Sequence, residues 1–251
     1  MVTVRSGGVS MKRILLKLSG EALAKEAVKP DGKKESYGFD EDKVMKVVRQ
    51  IQVLVQEGLQ IGIVIGGGNF WRGRTSGDMD RVRADQIGML ATVMNCMYVS
   101  DRCRALGLQT SIYTPFICGS FTRLYAKDEV DADFAAGKVL FFAGGTGHPY
   151  FSTDTATALR AVEIGADAIL VAKNVDGIYD SDPRVNPDAR KYDEITIDKV
   201  IADGLQAMDI ASAVICKENG MSMLVFPLQE ENSILRAARG EAIGTCVIAA
   251  K

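Results

Sequence analysis

The stretch QIGIVIGGGN, residues 60–69, joins an apolar strand directly to three consecutive glycines at positions 66–68. A second apolar stretch, residues 138–142, likewise ends just before the glycine-rich segment 144–147. Apolar runs of this length are typical of strands that are buried on both faces of a parallel sheet. Glycines after such strands allow backbone N–H groups to converge on an anion. The two stretches therefore favour a parallel sheet with a ligand site at the carboxyl ends of its strands.

Strands and helices alternate along the rest of the chain. The apolar patterns predict further strands at 12–18, 108–113, 168–172, 221–226 and 245–249, and helices at 39–57, 81–106, 153–164, 196–202, 208–218 and 232–238. Residues 175–187, rich in Asp, Asn and Pro, predict loops or a hairpin. This rhythm predicts an α/β fold, a three-layer sandwich with a mainly parallel central sheet and helices on both faces.

Composition narrows the classes of function. With 251 residues, the chain is long enough for one α/β domain or two closely joined lobes. The net charge of −2 gives no overall basic field that would favour nucleic acid. The longest apolar runs, such as residues 139–143, are far shorter than the roughly 20 residues of a membrane-spanning helix. We therefore expect no nucleic-acid or membrane partner.

The five cysteines are odd in number and contain no C-x-x-C pair, and His148 is the only histidine. These counts favour reduced, buried thiols in a cytoplasmic protein and argue against a zinc or multi-histidine site. Residues 1–11 contain no apolar signal segment, so they are interpreted as a flexible leader before a single domain at 12–251.

Several motifs of other nucleotide-binding proteins are missing. The sequence contains neither G-x-x-x-x-G-K-[ST] nor, after its glycine-bearing strands, G-x-G-x-x-G. These absences argue against a P-loop kinase and against a dinucleotide-binding fold. No H-R-D or D-F-G set is present, which excludes a protein kinase.

Two segments could bind phosphate near the first half of the sheet. Lys17-Leu18-Ser19-Gly20 places a lysine at a strand end before a flexible turn, although a strand-end lysine more often only reaches solvent. Gly66 to Gly68 are followed by Arg72, which can grip a phosphate bidentately, although a glycine triplet also suits a tight turn.

Two further segments follow later strands. Residues 144–154 join a glycine-rich loop to a predicted helix start in which Ser152, Thr153 and Asp154 could simply cap the helix. A helix N-terminus is also an anion site. In residues 175–183, Tyr179 could cover an adenine and Asp182 could accept from a ribose hydroxyl, but taken alone the segment is better explained by a plain Asp-Gly turn between short strands.

Taken together, these segments resemble the amino-acid-kinase fold and, within it, the bacterial uridylate (UMP) kinases. The resemblance runs from about residue 12 to the C-terminus and is carried by residues 12–22 (KRILLKLSGEA), 65–69 (IGGGN) with Arg72-Gly73, 88–95 (GMLATVMN) and 175–177 (VDG). It implies transfer of the γ-phosphoryl group of ATP to UMP, giving UDP and ADP for pyrimidine nucleotide biosynthesis.

The resemblance also implies roles for individual residues. It implies that ATP is bound by Lys17, Leu18, Ser19, Gly20, Gly68, Arg72, Asn174, Tyr179 and Asp182. It implies that UMP is bound by Gly67, Asp85, Thr146, Gly147, His148, Pro149, Tyr150, Phe151, Ser152 and Thr153. Catalysis would rest on Lys17, Arg72, Asp154 and Asp209, the two aspartates lying near Mg²⁺. No residue is assigned as a fixed metal ligand.

The resemblance further implies an acceptor lobe at 12–165, an ATP lobe at 166–251 and an allosteric homohexamer that responds to GTP or UTP. Three features depart from the family pattern. Either Lys173 or Asn174 stands where a family residue meets adenine, and Asn174 is favoured. His148 replaces a common asparagine, and residues 25–36 predict a mobile loop.

Two other functions are compatible with such a fold. An acetylglutamate or carbamate kinase would share the architecture, but the former prefers two glycines just after the lysine, and Asp85 would repel a carboxylate substrate. A non-catalytic nucleotide sensor could also share the fold, but it would be free to lose Lys17 or the acidic residues.

Overall fold

The computed structural model describes residues 11–28, 34–71, 77–183, 185–205 and 208–249. The strands in these ranges are β1 (Arg13–Leu18), β2 (Lys25–Val28), β3 (Lys34–Tyr37), β4 (Gln60–Ile65), β5 (Thr110–Thr114), β6 (Arg123–Leu124), β7 (Val139–Phe142), β8 (Ala168–Lys173), β9 (Ile178–Tyr179), β10 (Lys191–Tyr192), β11 (Glu194–Thr196), β12 (Met223–Pro227) and β13 (Thr245–Ile248). The main sheet has the order β11-β13-β12-β8-β1-β4-β7-β5-β6.

Strand β1 lies inside this sheet and is parallel to both of its neighbours. Lys17 on β1 is opposite Val64 on β4 and Val171 on β8. All strands from β12 to β6 in the sheet order run parallel, whereas β13 is antiparallel to β12. The carboxyl ends of β1, β4, β7 and β8 therefore meet at one edge, where ligands of such sheets bind.

Helices cover both faces of the sheet. They are α1 (Glu41–Gln56), α2 (Arg81–Ala105), α3 (Lys127–Ala135), α4 (Thr153–Glu163), α5 (Ile197–Ala202), α6 (Ile210–Glu218) and α7 (Ser233–Ala238), and a 3₁₀ turn spans Glu21–Leu23. One buried core packs α1, α2 and α7 against the sheet, and a second packs α3 to α6 against the opposite face. Leu16 lies in the first core and Leu15 in the second, because successive strand side chains point to opposite faces. The predicted three-layer α/β sandwich is confirmed.

The predicted mobile loop at 25–36 is wrong for its described part. Strands β2 and β3 form an antiparallel pair in which Lys25 is opposite Tyr37; residues 29–33 lie outside the described ranges. The charged, glycine-containing sequence does not reveal this hairpin, because it lacks the alternation of apolar and polar residues that identifies a strand. Helix α3 and the two-residue strand β6 were not predicted at all.

Residues 175–187, predicted to form loops or a hairpin, contain only the first strand of the hairpin in the structure. Strand β9 pairs with β10, whose residues 191–192 lie beyond the predicted segment.

Close packing requires glycine at position 177: a Cβ there would lie 2.6 Å from Thr245 Oγ1. Gly177 does not adopt a positive φ. The segment is therefore not the simple Asp-Gly hairpin turn, which requires that backbone conformation.

Helix α2 buries one face in the core and exposes apolar side chains on the opposite face. Val93, Cys96 and Val99 are buried in the first core. On the opposite side, four apolar side chains at helical spacing are 37–50% exposed: Ile87, Leu90, Met94 and Met97. These four residues are called the outer stripe below.

The ordered fold includes Met11. Met11, assigned to the leader, is buried against the first core, so the fold begins at least one residue earlier than predicted; residues 1–10 lie outside the described ranges.

In the described part of the chain, no helix is long and apolar enough to cross a membrane. None of the five cysteines, all of which lie in the described ranges, forms a disulfide, and burial raises the pKa of the Cys96 thiol to about 12.

Candidate active site

A cavity of about 590 Å³ opens where the central strands end. Its walls come from the loops after β4 and β7, the N-terminal half of α2, the start of α4 and the residues just before α6. Ten of the predicted site residues line it: Gly67, Gly68, Asp85, Thr146, His148, Phe151, Ser152, Thr153, Asp154 and Asp209. The structure thus brings together most of the residues predicted to bind the acceptor.

Two lysines and one carboxylate meet at this edge of the sheet. Lys17 Nζ lies 2.8 Å from Asp154 Oδ1, and the Lys17 side chain is only 11% exposed. Burial lowers the pKa of Lys173, the charge of Lys17 lowers it further, and Asp154 opposes both effects. The lysine pair with its shared aspartate is a concentrated cationic site, of the kind that stabilises transferring phosphoryl groups.

Lys173 and Asn174, the two alternatives for the adenine contact, have different surroundings. Lys173 ends β8 and interacts with Lys17 and Asp154, whereas Asn174 is exposed. Lys173 was considered only as an adenine contact, because its sequence position does not reveal which side of the strand end it faces. The parallel register of β8 against β1 is what brings the two lysines together.

The first two glycine segments pack directly on each other. A Cβ on Gly20 would lie 2.2 Å from the carbonyl oxygen of Gly66, a backbone atom that cannot move aside cheaply. A Cβ on Gly67 would lie 2.9 Å from both Ala91 Cβ and Gly88 O of α2. These close approaches require glycine whether or not a phosphate binds there. Arg72, also predicted for this loop, lies outside the described residues.

The loop before α4 combines a helix cap with unusual backbone geometry. Ser152 caps α4 by accepting from Asp154 N (2.9 Å) and Thr155 N (3.3 Å), so the capping interpretation holds for Ser152. Gly144, Gly145 and Gly147 all have positive φ. Tyr150 has a φ of 71°, a conformation that costs a non-glycine residue about 1–3 kcal/mol unless its surroundings hold it.

Asp85 is the residue that holds Tyr150. Its Oδ2 accepts from Tyr150 N at 2.8 Å and from Arg81 Nε at 2.9 Å. The N-cap of α2 is Asp80, which accepts from Arg83 N, so Asp85 is not needed to cap the helix. Asp85 is thus a partly buried carboxylate on the cavity wall that also fixes the loop opposite.

Asp209 ties α6 to α4. Its Oδ1 accepts from Ser212 N (2.7 Å) as the cap of α6, and its Oδ2 accepts from the hydroxyls of Thr155 (2.8 Å) and Ser152. Burial acts to raise the pKa of Asp209, but these hydrogen bonds outweigh burial and hold it below its usual value. Within the described ranges no group of three or more His, Cys, Asp or Glu side chains could hold a metal ion.

The residues predicted for adenosine lie apart from the cavity wall. Tyr179 stands on β9 and its hydroxyl donates to Asp176 Oδ1 at 2.9 Å. The backbone carbonyl of Asp182 accepts from Val185 N and Asn186 N in the following turn. None of Asn174, Tyr179 and Asp182 is among the residues that line the 590 Å³ cavity.

Comparison with known proteins places this geometry in a family. Residues 12–227 match the amino acid kinase family. The UMP kinase of Ureaplasma parvum is 32% identical, with a TM-score of 0.86 over 94% of this chain and 98% of that one. The UMP kinase of Bacillus anthracis is 31% identical, with a TM-score of 0.87 over 96% and 97% of the two chains. The uridylate kinase of Archaeoglobus fulgidus shares the fold, at 24% identity and a TM-score of 0.70 over 93% and 99%.

The matches to the Ureaplasma and Bacillus enzymes cover nearly the whole of all three chains. Members of the family are phosphotransferases, and the lysine pair at the ends of β1 and β8 suits that chemistry. The chain belongs to the amino acid kinase family and, within it, to the UMP kinases.

Proposed function

We propose that the protein transfers the γ-phosphoryl group of ATP to UMP and releases UDP and ADP. The observation that carries the proposal is the Lys17–Asp154 ion pair, with Lys173 beside it, at the edge of a cavity walled by Asp85 and the loop 144–154. Family membership supports the reaction.

The predicted residues divide between the two nucleotides. UMP would occupy the cavity, with its ribose hydroxyls on Asp85 and its base and phosphate against Gly67 and residues 146–153. ATP would lie over the ends of β1 and β8, with its phosphates on Lys17, the turn 18–20 and Gly68, and its adenosine near Tyr179 and Asp182. Arg72 would join the phosphate contacts.

The transfer needs little from the protein beyond position and charge. The second pKa of a phosphate monoester is about 6. The attacking phosphate oxygen of UMP is therefore mostly ionised at neutral pH and requires no general base. That oxygen forms a bond to the γ-phosphorus as the bond from the phosphorus to the bridging oxygen of ADP breaks. Lys17 and Lys173 would stabilise the charge on the transferring oxygens, while Asp154 would orient Lys17 through their ion pair.

Mg²⁺ fits the donor set of this site. Asp154 offers a carboxylate on the cavity wall, the ligand type that Mg²⁺ takes in kinases together with nucleotide phosphates. Asp209 would support the ion site indirectly, through Ser152 and Thr155 at the start of α4, because both of its oxygens already accept hydrogen bonds. When bound, the ion would neutralise charge on the phosphates.

An acceptor panel tests the proposed function. We expect ADP release with UMP, clearly slower release with CMP, and none with acetylglutamate or carbamate. We also expect EDTA to abolish the reaction and Mg²⁺ or Mn²⁺ to restore it. A coupled assay of ADP formation measures all of these. Preference for a carboxylate or carbamate acceptor would overturn the proposal in favour of another kinase of the fold, and no turnover with any acceptor would favour a nucleotide sensor.

We also propose a homohexamer in which the outer stripe of α2 forms part of a subunit contact. Four exposed apolar side chains on one helix face exceed what the core requires, and such patches mark interfaces. The double variant Leu90→Glu/Met94→Glu should lower the oligomer mass measured by light scattering at micromolar concentration. Ile117→Glu/Val185→Glu, which adds the same two charges at residues that are 85% and 82% exposed elsewhere, should leave the mass unchanged. A wild-type monomer would contradict the proposal.

A role in pyrimidine nucleotide synthesis, a response to GTP or UTP and a cytoplasmic location complete the proposal. The location is supported by the five cysteines, none of which forms a disulfide in the described part of the chain. The effector response and the pathway are supported by family membership. The lobe boundary near residue 165 is likewise part of the proposal and falls just before β8.

A further inference from the structure

Two buried asparagines lie behind the phosphate-binding turns, and the roles assigned above use neither of them. Asn69 follows the triple glycine and is 1% exposed, and Asn95 in the middle of α2 is fully buried. Burying a primary amide is unfavourable unless its donors and acceptors are paired. Both side chains are paired, with each other and with the backbone carbonyls of Gly66 and Gly38.

The two amides bind each other reciprocally. Asn69 Nδ2 donates to Asn95 Oδ1 at 3.0 Å, and Asn95 Nδ2 donates to Asn69 Oδ1 at 2.7 Å. The remaining donors go to backbone carbonyls: Asn95 Nδ2 to Gly66 O at 2.7 Å and Asn69 Nδ2 to Gly38 O at 2.9 Å. Because both outer partners are acceptors, they fix which end of each amide carries the nitrogen.

The first glycine turn rests directly on this pair. A Cβ on Gly20 would lie 2.5 Å from Asn69 Oδ1 and 2.9 Å from Asn95 Nδ2. The backbone adds a further link, because Gly66 N donates to Leu18 O at 3.0 Å. The amide pair therefore sets how closely the turn 18–20 approaches the triple-glycine loop.

We propose that the Asn69–Asn95 pair is a positioning device that holds the turn 18–20 and the triple-glycine loop at the separation required for in-line phosphoryl transfer; this inference rests on the proposed function. The turn 18–20 would carry phosphates of ATP, and Gly67 of the triple-glycine loop would meet the phosphate of UMP. A displacement of about 1 Å between reacting groups can reduce a rate by about 100-fold. A buried amide pair with all four donors satisfied resists such a displacement, because any shift leaves a buried group unpaired.

The test separates turnover from binding. For Asn95→Ala and for Asn69→Ala we expect kcat to fall about 10- to 100-fold, while the KM for each nucleotide changes by less than about threefold. The double variant should lose no more than the worse single variant, since either change alone breaks the pair. Steady-state kinetics with each nucleotide varied in turn gives these values.

Val99→Ala is the matched control. Val99 is fully buried one turn after Asn95 on α2 and packs in the first core. Its truncation should lower Tm, as should Asn95→Ala, but it should leave kcat of the folded protein within about twofold. Should Asn95→Ala not fold, Asn69→Ala carries the test, because Asn69 lies in the loop rather than inside a helix.

Hydrogen–deuterium exchange of peptides covering 18–24 and 64–71 gives a readout that does not depend on the acceptor. Faster exchange in both peptides is expected for the asparagine variants and not for Val99→Ala. If wild-type protein does not phosphorylate UMP but this exchange pattern appears, the proposed function fails and the pair still positions the two turns. Unchanged kcat and exchange in folded variants, or a kcat loss that Val99→Ala reproduces, would overturn the inference.

Discussion

Replacing Lys17 by alanine is expected to lower kcat by about 100-fold or more, the scale observed when one preorganised charge is removed from a transition state. The Lys17 ammonium lies 2.8 Å from Asp154 and next to Lys173. Its loss removes the positive charge that would stabilise the transferring phosphoryl group. Asp154 is then left to pair with Lys173 instead. Binding of both nucleotides should weaken less than turnover falls. Steady-state kinetics together with equilibrium titration of each nucleotide measures the difference.

The fold should survive this change, because Lys17 stands at the end of β1 and its side chain contributes little to either core. Lys138→Ala is the matched control: its Nζ pairs with Asp133 Oδ1 at 2.6 Å beside β7, away from the cavity. Its kcat should stay near that of the wild type. Near-normal turnover in a folded Lys17→Ala protein would remove Lys17 from the catalytic site.

Asp85→Asn is expected to raise the KM for UMP by about 10- to 100-fold and to change the KM for ATP little. Charge-assisted hydrogen bonds to ribose hydroxyls contribute roughly 1.5–3 kcal/mol, which corresponds to about one to two decades of affinity. Asparagine keeps the shape and can still accept from Tyr150 N, but it loses the negative charge that faces Arg81. Kinetics with each substrate varied in turn measures both constants.

Asp80→Asn is the control for helix effects. Asp80 caps α2 and asparagine caps equally well, so the KM for UMP should remain within about threefold. The opposite pattern for Asp85→Asn, a changed KM for ATP with an unchanged KM for UMP, would assign Asp85 to the donor side. The acceptor site would then lose its main polar contact.

Much of the fold could be predicted because the central strands are apolar on both faces and end at glycines. Strand β4 has the predicted bounds, and α2 and α4 begin at the predicted residues. Helix α3 was missed because it is short and carries four acidic residues among its nine. The hairpin of β2 and β3 was missed because charged, glycine-containing sequence resembles a loop.

The candidate site was less predictable than the fold. Sequence patterns identified the turns, since glycines and a strand-end lysine can be recognised locally. They could not show that Lys173 faces Lys17, which depends on the register of β8 against β1. They could not distinguish Asp85 as the partner of Tyr150 N either, because that hydrogen bond joins residues 65 positions apart. The contact of Asn95 with Gly66 O depends in the same way on how α2 packs on the sheet.

The central place of β1 has a consequence for how the chain is made. Synthesis proceeds from the N-terminus, so β1, β4, β7 and β5 are complete before residues 168–173 supply β8. Until then one edge of β1 lacks a partner, although Ile14, Leu15 and Leu16 are fully buried in the finished protein. A long apolar strand with an unpaired edge is a template for association with other chains. A nascent chain that pauses near residue 165 is therefore exposed to aggregation, and a fragment that ends there should self-associate instead of folding as an independent lobe.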